Sequence, residues 1–111
     1  MGAENSPNDR DDGDYKYTDC EVIDFETVLL SPALELLASL KLGDRLAVHV
    51  TREDGAPTVD VSQRGTRLGS VSHTHVPRLI ICIEDANVYF AEVVKLNGAE
   101  CRVRIHHQNR S

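Results

Sequence analysis

Five histidines, His49, His73, His75, His106 and His107, are the side chains best suited to metal or proton chemistry in this 111-residue chain. On a strand His73 and His75 would share one face, as two ligands of one ion must, whereas the neighbours His106 and His107 would point to opposite faces. No cysteine or carboxylate stands at a spacing that completes a recognisable zinc set. Polar loop and terminal histidines are the simpler reading, and no metal is expected. The three cysteines, Cys20, Cys82 and Cys101, are odd in number and widely spaced, unlike a disulfide framework. They read as free thiols of a reducing compartment, with Cys82 and Cys101 acting as small buried hydrophobes. The serines lack the glycine pattern of a nucleophile elbow. RGTRLGS, residues 64–70, lacks the Gly-Lys-Ser/Thr ending of a phosphate loop. Glu84-Asp85 falls in an exposed turn, where strong pKa shifts are not expected. The chain therefore reads as a non-enzyme with no catalytic residues and no cofactor.

Arginines are more suggestive. Arg52, Arg64, Arg67 and Arg78 fall in or near turns, and Arg102, Arg104 and Arg110 are expected to line the C-terminal strand. Such side chains contact phosphates and supply most of the non-specific affinity for nucleic acid, although a solvated face is the plainer account of scattered arginines. The net charge of −6 argues against an anionic partner, but its distribution matters more. Residues 1–28 carry nine acids against Arg10 and Lys16, a net of −7, whereas residues 29–111 carry nine acids and ten bases, a net of +1. The body is nearly neutral. Tyr89 and Phe90 offer aromatic surface for stacking on bases, but period-two counting puts them on opposite faces, leaving at most one available.

Hydrophobic residues at 41% and charged residues at 27% fit one soluble globular domain. The longest apolar run, residues 79–83, is far short of the roughly 18–20 residues of a membrane helix. The opening MGAENSPNDRDDGD has neither the basic nor the apolar segment of a secretory signal, so a cytoplasmic location and no membrane partner are expected. Residues 1–20 are expected to form a disordered acidic tail, because their composition offers too little apolar area to offset ordering. Such a tail could mimic nucleic acid or shield a basic face, but a solvated terminus is the simpler reading. Residues 21–111 form a single β-rich binding domain.

Within that domain, residues 21–29 alternate, with Ile23, Phe25, Thr27 and Leu29 on one side. Ser31-Pro32 supplies an N-cap and first-turn proline for a short helix through ALELLASLKL, stopped at Gly43. Residues 45–51 and 58–62 alternate around the turn residues EDGAP and form a hairpin, with Val59 and Val61 inward. Leu68 and Val71 flank Gly69 in a third strand, where glycine marks a bulge or a close backbone approach. The Ile-rich run at 77–84 is ambiguous, and Pro77 at a first turn favours a helix. Residues 88–96 and 101–107 form a second hairpin through Asn97-Gly98. The order β-α-β-β-β-α-β-β implies an α+β, β-rich fold: a small barrel or strongly curved antiparallel sheet with one or two short helices.

Four segments carry a resemblance to the HIRAN domain. They are LKLGDRLAV (40–48), TREDG with the following VDV, GTRLGSV (65–71) and YFAEVVKL (89–96), which resemble that family's strand entry, charged hairpin, glycine-bearing strand and penultimate strand, and together they cover residues 29–107 in the same order and spacing. The resemblance implies a β-barrel-like module that binds DNA, in some members a 3′ single-strand end. The chain departs from the pattern where Glu53-Asp54-Gly55 replaces the usual Asn and Asp of the hairpin and where Ser70 replaces a Tyr. Pro77-Arg78 comes later than the family's Pro-Arg.

The expected function is a non-catalytic, HIRAN-like module that contacts DNA ends or single strands through Arg52, Arg64, Arg67 and Arg78, with His73 and His75 at the rim. The competing reading is a protein-interaction module, such as an inhibitor, antitoxin or phage-encoded antagonist, that uses the acidic tail or an exposed sheet edge, for example the last strand. A small-molecule barrel would need a roomy apolar pocket in a short chain.

Overall fold

The computed structural model describes residues 20–53 and 55–109. Residues 1–19 of the expected acidic tail, Asp54, Arg110 and Ser111 lie outside those residues. Strands β1 (Asp24–Val28), β2 (Arg45–Glu53), β3 (Ala56–Gln63), β4 (Thr66–Val71), β5 (Tyr89–Asn97) and β6 (Glu100–His107) join helices α1 (Leu34–Leu37) and α2 (Val76–Glu84). The six strands form one antiparallel sheet in the order β1-β6-β5-β2-β3-β4. The β-rich α+β fold expected from the alternation is the fold observed.

Curling brings the two ends of the sheet together. Beyond β1, the Leu30 amide donates to the Ser70 carbonyl at 2.8 Å and the Ser70 amide donates back at 3.0 Å. The same strap bonds to β6 through Leu29 N–H and to β4 through Ala33 N–H. Gly69 is required at this closure. A Cβ there would lie 3.0 Å from Leu29 Cβ and 3.1 Å from the Leu30 carbonyl oxygen, so a side chain would push the strap off β4. A register shift between Val61 and Ser62 lies alongside.

The inner face is continuous. Leu46, Val59, Val61, Ala91, Val93, Val103 and Ile105 are buried, and α2 packs against β2 and β3 with Leu79 and Cys82 buried. The ambiguous run at 77–84 is thus a helix. It ends in a Schellman arrangement, with Ala86 N–H on the Ile83 carbonyl and Asn87 N–H on the Cys82 carbonyl.

Several expectations are corrected. The helix after Pro32 is four residues long and its N-cap is Ala33. Ser31 does not cap it; it turns the strap at φ 48, because the Leu30 bridge fixes the chain direction first. The two-residue turn of the last hairpin is Gly98-Ala99, since Asn97 pairs with Glu100. Strand β6 is not an edge, because β1 and β5 flank it, so it cannot accept a partner strand. Cys20 and Cys82 are not free thiols; they form a disulfide across a separation of 62 residues, which removes the cysteine argument for a reducing compartment. Only Cys101 is free and buried. Residues 20–22 are helical, and Cys20, on the tail side of the expected boundary, is 1% exposed. Among the described residues no helix is long and apolar enough to cross a membrane.

Candidate nucleic-acid interface

The loop between β4 and α2 carries His73 and His75 and is held to β1, where the Thr27 hydroxyl donates to the Ser72 carbonyl at 3.3 Å. His75 is the N-cap residue of α2, with Pro77 in the first turn. Its amide donates to His73 Nδ1 at 3.1 Å, so Nδ1 is an acceptor and the neutral ring carries its proton on Nε2. The His73 ring stacks on Phe25 with centroids 4.2 Å apart and planes 23° apart. His75 meets the Phe25 edge at 5.5 Å and the His73 ring at 5.0 Å. Phe25 is buried, and both histidines are half-buried. The trio thus has a fixed base and a partly solvated outer surface.

Arg78 lies in the first turn of α2, three residues beyond His75 and exposed, where the positive end of the helix dipole adds to its charge. The other expected arginines do not converge on this point. Arg52, at the end of β2, is ion-paired with Glu84 at the end of α2. Arg64 occupies the β3–β4 turn at φ 54, followed by Gly65 at φ 81. Because Arg52 pairs with Pro57, seven residues before Arg64, the two are separated by the length of β3, about 23 Å. Arg67 lies 3.5 Å from Asp60 and donates to the Ser70 hydroxyl. Of the six expected residues, the rings of His73 and His75 meet, Arg78 follows them in the first turn of α2, and Arg52, Arg64 and Arg67 lie apart. Arg104, in the C-terminal strand, is held by both carboxylate oxygens of Asp24 at 2.9 and 2.6 Å.

Two polar groups were not anticipated. Asp60, between the inward Val59 and Val61, is 5% exposed. Its carboxylate accepts from the Thr51 and Ser70 hydroxyls, both at 2.8 Å. Burial alone would raise its pKa, but those two bonds with the charges of Arg67 and His49 hold it below the ordinary value. Behind α2, Asn109 N–H donates to His107 Nδ1 and His107 Nε2 then donates to Asn87 Oδ1 at 2.9 Å. Asn87 in turn donates to the Cys82 carbonyl at 3.0 Å, and the edge of Tyr89 faces the His107 ring. These bonds tie the end of α2 to β6.

Phe25, which backs the His73 ring, is the residue of the candidate site that the arginine count overlooked; its inward position was legible, but its stacking on His73 depends on where the loop lands. Among the described residues no group of three or more His, Cys, Asp or Glu side chains is placed to hold a metal ion. No protein-family profile, curated protein or solved structure matches the chain.

Proposed function

We propose that the chain is a non-catalytic, HIRAN-like module that binds nucleic-acid ends or single strands, with His73, His75 and Arg78 at the centre of contact. The observation that carries this reading is the ring stack, in which buried Phe25 backs His73 at 4.2 Å. Unstacked bases pile on aromatic and histidine faces, with about 1–3 kcal/mol per base. The exposed N-terminal turn of α2 beside the rings suits a phosphate, both by its dipole and through Arg78. Arg52 and Arg67 already neutralise Glu84 and Asp60, so they contribute less than their number suggests.

Fluorescence anisotropy of the full chain with labelled single-stranded DNA and with a blunt duplex of the same length, at low salt, tests the proposal. Single strands should bind more tightly, and His73→Ala should weaken binding about 5- to 100-fold. Absence of binding at low salt, where electrostatic affinity is greatest, or a larger loss from Arg52→Ala than from His73→Ala, defeats it.

A further inference from the structure

On the outer face of the sheet the register aligns two rows of side chains. Glu26, Arg104, Glu92 and Arg45 form one, and Asp24, His106, Phe90 and Ala47 form the next. Between them a cleft of about 210 Å³ is lined by Gly43, Arg45, Glu92 and His106. That is below the roughly 300–1,000 Å³ of pockets for drug-sized ligands, so its occupant is a small molecule or the head group of a larger one.

We propose that this cleft binds the ammonium–carboxylate head of an α-amino acid. The donor is Arg45, whose guanidinium lies over the Phe90 ring, 4.3 Å from its centroid. A guanidinium held against a ring face keeps its in-plane N–H groups for a carboxylate, which it binds with two parallel bonds. Arg104 cannot take that role, because Asp24 already occupies its fork. The acceptors are Glu92 and His106. No described residue hydrogen-bonds the Glu92 carboxylate. His106 is 2% exposed and its Nδ1 approaches the His107 carbonyl at 3.2 Å. A carbonyl only accepts, so Nδ1 carries the proton and the neutral ring leaves a lone pair on Nε2. That nitrogen has no partner among the described residues, and a buried acceptor without a donor is costly.

A zwitterion satisfies each group in turn. Its carboxylate pairs with Arg45, and two of its three ammonium protons go to Glu92 and His106 Nε2. A simple anion would face Glu92 and leave the histidine unsatisfied; a simple cation would be opposed by Arg45. Gly43, where an added Cβ would meet nothing within 4 Å, opens the rim through which a ligand side chain would leave. The cleft lies on the face opposite the core and is separate from the Phe25–His73–His75 stack, so the inference stands whether or not the chain binds nucleic acid.

The test is a ¹H–¹⁵N correlation titration of the full chain with glycine and L-alanine, with acetate and methylamine as the separated halves, and with guanosine as a neutral ring bearing adjacent donors and acceptors. Both amino acids should produce saturable shifts at Gly43, Arg45, Glu92 and His106, and each half should bind at least tenfold more weakly. Glu92→Gln and Arg45→Met should each weaken glycine binding tenfold or more while the rest of the spectrum is retained. The proposal is overturned if the amino acids give no saturable shift, if acetate binds as well as glycine, or if guanosine saturates the cleft and glycine does not.

Discussion

The Tyr89 hydroxyl donates a 2.6 Å hydrogen bond to the backbone carbonyl of Cys20, 69 residues away, beside the disulfide that ties Cys20 to Cys82. One polar contact and one covalent bond thus fasten the start of the described chain to the first strand of the last hairpin and to α2. Burial, offset in part by Arg78 and reinforced by Glu21, pushes the Tyr89 phenol up to about 12 from 10.0. A raised folded-state pKa means that this contribution to stability is complete below pH 10 and is lost as pH rises through about 12. Tyr89→Phe leaves the Cys20 carbonyl buried without its donor and should cost about 1–3 kcal/mol. Urea denaturation at neutral pH measures that loss, and the alkaline limb of stability should become shallower in the variant.

The disulfide closes a loop of 62 residues, long enough that cross-linking the unfolded chain should contribute about 4 kcal/mol in the chain-entropy picture. Cys82→Ala should lower stability by about 2–4 kcal/mol, and dithiothreitol should produce a similar loss in the wild type but none in the variant. Equal stability of the oxidised and reduced forms would contradict the pairing.

Asp60 supports stability with the opposite pH sign to Tyr89. Its folded-state pKa lies below the ordinary 3.8, so its contribution is complete above that value and fades as pH falls through and below it. Asp60→Asn replaces an oxygen that accepts from Thr51 or Ser70 and loses the attraction of Arg67, and it should cost about 1–3 kcal/mol at pH 7. The difference between wild type and variant, followed by urea midpoints, should narrow below pH 4.

Ala86 sits at φ 72, the left-handed position of the Schellman arrangement that ends α2. Ala86→Gly should therefore stabilise the chain by about 1 kcal/mol, read as a higher urea midpoint with unchanged slope. Gly69→Ala, at ordinary φ but against Leu29 and Leu30, should move the midpoint the other way.

The sequence reveals the elements more readily than it reveals how they close. Alternation placed Val59, Val61, Val103 and Ile105 inside, and the isolated Gly69 signalled a bulge or a close approach, of which the close approach to Leu29 and Leu30 is the one at Gly69 itself. Ser31 looked like an N-cap only while the Leu30–Ser70 bridge was unknown. For Asp60, period two gives the face but not what covers it; two hydroxyls from neighbouring strands do so here. The Cys20–Cys82 pair has no sequence signal at all, since 62 intervening residues are brought together by packing alone. At the candidate interface, residue types were legible and convergence was not. His73 and His75 are close in the chain and their rings meet, whereas Arg52 and Arg64 end on opposite ends of β3.

The most direct test of the proposed function is a ¹H–¹⁵N correlation spectrum of the full chain titrated with a short single-stranded oligonucleotide at low salt. The largest saturable shifts should fall on Phe25, His73, His75 and Arg78, with little change at Arg52 and Arg64. Shifts centred on the β3–β4 turn, or none anywhere at saturating oligonucleotide, would contradict the stacked rings as the contact surface.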